Sequence, residues 1–147
     1  MEYLLRPIGV IHTPFTEKTA TPIQAARSDT RGWVEVAAEY ADGLCGVEDF
    51  SHLYLIYAFH ASQGYQLQVE PFLDDRLHGL FATRFPYRPN PIGLSVVRLV
   101  QRAGCRLDFE GADMLDGTPL LDIKPYIPEF DHFEVTQTGW YANRAKD

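Results

Sequence analysis

The chain has 147 residues, 46% hydrophobic and 22% charged, with a net charge of −7; a chain of this size buries roughly 68–70% of its unfolded surface and fits one domain. The acidity argues against indiscriminate adhesion to nucleic acid or membrane, so any polyanion needs a local basic patch. Cys45 and Cys105 are too few for a secreted disulfide framework, no CxxC or Cys/His cluster suggests zinc, and both are expected to be buried thiols.

At the N-terminus, MEYLLRPIGVIHTPF is interrupted by Arg6 and Pro7 and lacks the apolar centre of a signal peptide. No stretch approaches ~18 consecutive apolar residues, so no membrane span is expected and a cytoplasmic protein is. Residues 8–13 (IGVIHT) and 33–36 (WVEV) are short, β-branched and bounded by Pro or Gly, as strands are. Between them, residues 14–32 mix Thr, Pro, Lys, Arg and Asp without periodicity, and a loop this long in a small domain is expected to be functional. Residues 41–50 are predicted to form a short helix, and 52–59 (HLYLIYAF) a buried strand. In 81–95 (FATRFPYRPNPIGLS), Pro86, Pro89 and Pro91 fix their own φ and push the preceding residues toward extended conformations, which predicts a stiff loop. Residues 95–102 and 106–113 flank Ala103-Gly104 as a hairpin, and 120–123 add a strand after the Asp116-Gly117 turn. Beyond Tyr126 the periodicity fades, although Trp140 and Tyr141 suggest that the tail docks on something, a partner subunit among the possibilities. Short strands at regular spacing with Gly and Pro punctuation predict a mostly β fold: an antiparallel sheet closed, or nearly closed, into a barrel with few short helices. Residues 1–147 are expected to form one domain, with a tail from about residue 127.

Between positions 76 and 107 the chain carries six arginines and no Asp or Glu. A stiff loop loses little entropy on binding and presents Arg84 and Arg88 as guanidinium forks for carboxylate or phosphate. A Pro-rich surface turn with solvated arginines is the plainer alternative. No GxGxxG or GxxxxGK[ST] supports a dinucleotide fold or a P-loop. Ser51-His52, His12, His60, His78 and His132 follow no triad or metal spacing and read as structural. Asp113, Asp116 and Asp122 could bind a metal, orient sugar hydroxyls or build a turn. An oxygen acceptor and backbone N–H groups held at one turn would suit a ribose or an adenine edge. Lys124, beside Pro125 and Tyr126, either faces a substrate carboxylate or solvates a strand end.

Five segments occur here in the order of one known family: IGVIHTPF, the Pro22-Ile23-Gln24 loop, DFSHLYLIYAFH, FATRFPYRPNPIGLS and DMLDGTPLLDIKPY. Across residues 6–126 the chain resembles the TsaA-like (TrmO) family of S-adenosylmethionine-dependent tRNA methyltransferases. The resemblance implies a single-sheeted antiparallel β-barrel working as a homodimer, with S-adenosyl-L-methionine bound near the subunit interface. It also implies N6-methylation of the threonylcarbamoyl-adenosine next to the tRNA anticodon. Carried over by motif, the donor site comprises Pro22, Ile23, Gln24, His60, Ala61, Arg84, Leu94, Asp116, Gly117, Thr118 and Pro119. Arg88, Asn90 and Lys124 are expected to contact the substrate, no metal is implied, and no catalytic base is identified. An RNA surface would draw on Arg84, Arg88, Arg98 and Arg102. Two other functions are compatible with the barrel: a methyltransferase for a small molecule or another modified base, and a non-catalytic S-adenosylmethionine-binding module.

Overall fold

The computed structural model describes residues 1–17, 28–72 and 74–143. Eight strands occur among them: β1 (Gly9–His12), β2 (Arg31–Val36), β3 (His52–Ala58), β4 (Gln68–Val69), β5 (His78–Gly79), β6 (Ile92–Ala103), β7 (Arg106–Glu110) and β8 (Thr118–Pro125). The chain divides into two compact units, Met1–His60 with Ile92–Tyr126 and Ala61–Pro91 with Ile127–Asp147.

The first unit is a closed antiparallel barrel with strand order β1-β2-β7-β6-β3-β8. Its register follows from period-two burial, because adjacent side chains on a strand point to opposite faces. On β3, Leu53, Leu55 and Tyr57 turn inward; on β2, Val34 and Val36 do the same. With Ile11, Val97, Leu107, Phe109 and Leu120, at most 1% exposed, they fill the barrel. Burial of each such side chain is worth about 1.5–3 kcal/mol. Closure leaves no unpaired ladder in the sheet.

The hairpin around Ala103-Gly104 is present, although β6 begins earlier than predicted, at Ile92, and β7 ends at Glu110. The expected helix at 41–50 is instead two 3-10 segments, Ala38–Leu44 and Val47–Asp49. Gly43 and Gly46 disfavour a continuous α-helix there. Both cysteines depart from expectation: Cys45 is exposed and Cys105 is half-buried, since Cys45 ends a surface 3-10 segment and Cys105 sits in the tight β6–β7 turn.

In the second unit, β4 and β5 pair as a two-stranded ribbon, and a 3-10 turn, Leu80–Ala82, follows. The prolines leave 83–91 without helix or strand, as the sequence predicted. The tail forms one helical turn, Pro128–Asp131, and a 3-10 segment, Gly139–Asn143. It docks within its own unit: Trp140 Nε1 donates to the Ala82 carbonyl at 2.8 Å, and its ring stacks on His78 at 5.3 Å. His78 is in turn held by Asp74, with Nε2 and Oδ2 2.6 Å apart.

Candidate functional site

Register gathers one set of groups at a single rim of the barrel. His12 ends β1 opposite Trp33, Ala58 ends β3 opposite Ile92, and Thr118 opens β8 opposite Ile11. Residues 111–117 connect β7 to β8 along this rim. Gly111 and Ala112 both donate their backbone N–H to Thr30 O at 3.0 Å. Thr13 Oγ1 donates to Met114 O, and Thr118 Oγ1 donates to Leu115 O. Gly117 stands at φ +82°, a conformation that L side chains rarely adopt.

The Asp116 carboxylate is fixed by two groups from the end of β1. Oδ1 accepts the Thr13 N–H at 3.1 Å and faces His12 Nδ1 at 3.1 Å. His12 is itself oriented by Trp33, whose ring it stacks against with centroids 4.1 Å apart. The Arg106 guanidinium lies 4.1 Å from the same indole centroid. Oδ2 of Asp116 has no hydrogen bond among the described residues, and the side chain is 42% exposed, within reach of a solute. The turn's N–H groups do not face outward as the sequence reading supposed: Asp116 N donates to Phe15 O and Gly117 N to Ile11 O. What the turn offers a ligand is an oriented anionic acceptor, suited to hydroxyls or a cationic centre.

Behind the turn a polar chain runs from the buried Tyr57 and Ser95 to the half-buried Asp113. The Tyr57 hydroxyl is 2.8 Å from Ser95 Oγ, which donates to Asp113 Oδ1 at 2.7 Å. Tyr57 and Ser95 are 4% and 3% exposed. Burial, and next the Asp113 charge, push the Tyr57 hydroxyl well above the ordinary tyrosine range.

Of the residues expected at the donor site, Asp116, Gly117, Thr118 and Pro119 form this turn and the start of β8. His60 sits just past β3 at the same rim, its N–H donating to Ala58 O. Leu94, paired with Ile56, is 55% exposed on the outer barrel face. Pro22, Ile23 and Gln24 lie outside the described residues. Ala61, Arg84, Arg88 and Asn90 belong to the second unit. There Arg84 is exposed, while Arg88 is half-buried and braces its loop, Nη1 donating to Thr83 O at 3.0 Å and Phe85 O at 2.9 Å. Asn90 is exposed. Lys124 pairs with Asp122 at 3.1 Å near the far end of β8. Six residues of strand separate it from Thr118, about 20 Å at 3.3 Å per residue, so the fold does not bring Lys124 to the rim turn.

Three of the six arginines in the acid-free window are paired with carboxylates outside it. Arg98 pairs with Glu110, Arg102 with Glu48, and Arg106 with Asp108. The first of these, a charged hydrogen bond from Arg98, holds the Glu110 carboxyl below its ordinary value. Sequence reasoning passed over His12 and Trp33 as site residues; their only signal was position, beside the HTP and GWV strand ends. Among the described residues, no cluster of three or more His, Cys, Asp or Glu is arranged to hold a metal ion. Nor is any helix among them long and apolar enough to cross a membrane.

The tRNA-methyltransferase O N-terminal domain family matches residues 10–132 of the chain. A probable S-adenosyl-L-methionine-binding protein of Pyrococcus abyssi is 57% identical over 136 residues, covering 92% of this chain and 74% of that protein. The tRNA (adenine(37)-N6)-methyltransferase of Mus musculus is 38% identical over 136 residues, covering 87% of this chain and 32% of the mouse protein. The crystal structure of TrmO from Pseudomonas aeruginosa superposes with a TM-score of 0.80 at 39% identity, covering 95% of this chain and 62% of that one. The chain thus spans less than two thirds of the solved relative and about one third of the mouse enzyme.

Proposed function

From the premise that this chain belongs to the tRNA-methyltransferase O N-terminal domain family, we propose that it is an S-adenosyl-L-methionine-dependent methyltransferase. The proposed acceptor is N6 of the threonylcarbamoyl-adenosine beside a tRNA anticodon. The observation that carries the reading is the fixed rim carboxylate: Asp116 Oδ1 is held by Thr13 and His12, and Oδ2 is left for a ligand. The donor presents ribose hydroxyls, an ammonium and a sulfonium, each complementary to an oriented carboxylate. Its chemistry would be methyl transfer by in-line displacement at carbon: the S–C bond breaks as the N–C bond forms, the sulfur leaves as a neutral thioether, and the proton on nitrogen passes to solvent water. The chain's part is to hold and align both partners, an effect worth ~7–11 kcal/mol in favourable cases. The Asp116 carboxylate holds the donor, while the second unit by itself exposes the Arg84 guanidinium and the Asn90 amide.

A homodimer in the cytoplasm completes the reading. Its support is the outward face of β6, where Ile92 and Leu94 are 39% and 55% exposed, beside Ala58 and Ile56 of β3. A second reading, donor binding without methyl transfer, is favoured by the Pyrococcus relative, whose name states binding alone.

Calorimetric titration of ligand-stripped protein with S-adenosyl-L-methionine tests the donor site. Saturable binding is expected, weakened at least about tenfold in Asp116→Ala by loss of a charged hydrogen bond. A folded wild type that binds nothing sinks the reading. Methyl incorporation into tRNA lacking the modification then separates the enzyme from a binding module.

A further inference from the structure

The chain Tyr57–Ser95–Asp113, buried at Tyr57 and Ser95 and half-buried at Asp113, has no partner in the transfer chemistry, yet it joins two segments 18 positions apart. Ser95 closes the FATRFPYRPNPIGLS stretch and Asp113 opens DMLDGTPLLDIKPY, and the 2.7 Å bond between them spans the interior side of the rim. Asp113 stands three positions before Asp116 in a segment tied at nearly every residue. Ala112 is bonded to Thr30, Met114 to Thr13, Asp116 to Phe15 and Gly117 to Ile11. Those ties attach the segment to β1 and to the stretch before β2; Ala112 and Met114 pack in the core, and Asp113 adds a hydrogen bond to Ser95 of β6. Gly93 makes the geometry possible. A Cβ there would lie 2.3 Å from the Tyr57 ring, so any larger residue displaces the phenol that completes the chain. Ser95 is buried and its hydroxyl must find partners, which Tyr57 and the half-buried Asp113 carboxylate supply in one well-defined orientation.

We propose that Asp113, Ser95 and Tyr57 form a positioning relay that fixes the 116–119 turn from inside the barrel and so sets the orientation of the Asp116 carboxylate. None of the three touches the ligand; they act through the turn. The relay rests on the donor-site reading for its functional consequence, but its structural consequence is independent of any ligand. It also assigns separate tasks within FATRFPYRPNPIGLS: the arginines precede the barrel, whereas Gly93 and Ser95 serve the acidic turn on the other motif.

The test uses the full chain and four variants. Ser95→Ala breaks the chain with little change of volume, Asp113→Asn keeps the acceptor oxygen but removes the charge, and Tyr57→Phe removes the outermost link. Val97→Ala, at a buried position on the same strand, reports a stability loss unrelated to the relay. Amide hydrogen exchange is read at Asp116 and Gly117, with Val34 and Val36 of β2 as reference, and S-adenosyl-L-methionine affinity is read by titration. Ser95→Ala is expected to lower protection at Asp116 and Gly117 about tenfold relative to β2, and to weaken donor binding by a similar factor. Asp113→Asn should retain most of both, Tyr57→Phe should fall between, and Val97→Ala should loosen all amides together. Unchanged protection of the turn in Ser95→Ala, or a loss no more selective than in Val97→Ala, overturns the relay. Selective loss at the turn together with a wild type that binds no donor upholds the relay and refutes the donor site.

Discussion

Glu110 receives two guanidinium groups, Arg98 from β6 at 2.9 Å and Arg31 from β2 at 3.2 Å, across the strand that lies between them. Its native carboxyl is held below the ordinary value of 4.5, first by the Arg98 hydrogen bond. A carboxyl with a lowered native pKa stabilises the fold fully above its unfolded value, and the contribution fades as pH falls through the native one. Glu110→Gln should therefore flatten the acid limb of stability below about pH 4.5, with little effect near pH 7 beyond the lost pair. Urea denaturation at a series of pH values measures it; an acid limb as steep as that of wild type contradicts the assignment. This pairing was hidden in the sequence, as was that of His12 with Asp116, 104 positions apart. The residue types announced charge and aromaticity, but only strand register decides which cation meets which carboxylate. The arginine-rich window looked more basic than it is for the same reason: for Arg98, Arg102 and Arg106 the counter-ions are Glu110, Glu48 and Asp108, on other segments or beyond its edge.

At the scale of elements, local pattern went a long way. Alternating β-branched runs between Gly and Pro located β1, β2, β3, β7 and β8 to within a few residues, because period-two burial is written directly into the side chains. The β4–β5 ribbon was not legible: two residues per strand are too few for a period to register. The tail was legible only as a pair of aromatics, and its role depends on where Trp140 finds an acceptor. Since that indole bonds Ala82 O and stacks on His78, the tail is a strap over the segment that leads into Arg84. Trp140→Ala removes one hydrogen bond and one aromatic contact, together about 1–2 kcal/mol. Limited proteolysis should then cut between 70 and 85 roughly tenfold faster, with barrel amides unaffected. Equal cutting rates in variant and wild type would show that the strap bears no weight.

For the whole molecule, a barrel predicted from punctuation and spacing is the one observed, six strands closed through the β1–β8 pairing. The strand order that achieves closure was beyond the sequence, because it requires β1 to find β8 across more than a hundred residues. The outer face of β6 bears on assembly. Ile92 and Leu94 open β6, and the next exposed residue on that strand, Arg98, is charged, which marks a limited apolar patch of the kind buried between subunits. Sedimentation equilibrium should show a dimer at micromolar concentration, and Ile92→Glu should shift it toward monomer by placing a charge in that patch. A strict monomer at every concentration removes the homodimer.

Ala58 and Ile92 are register partners at the last rung of the β3–β6 ladder, so everything from residue 59 to residue 91 leaves and re-enters the barrel at that single rung. A short hairpin turn would close the same gap, and each doubling of such a loop adds only about 0.6 kcal/mol of closure entropy. The excursion that carries Arg84, Arg88 and Asn90 is thus a cassette. It can be lengthened, shortened or exchanged among descendants while the ladder on either side stays in register, which lets substrate preference evolve on a scaffold that does not have to be solved again.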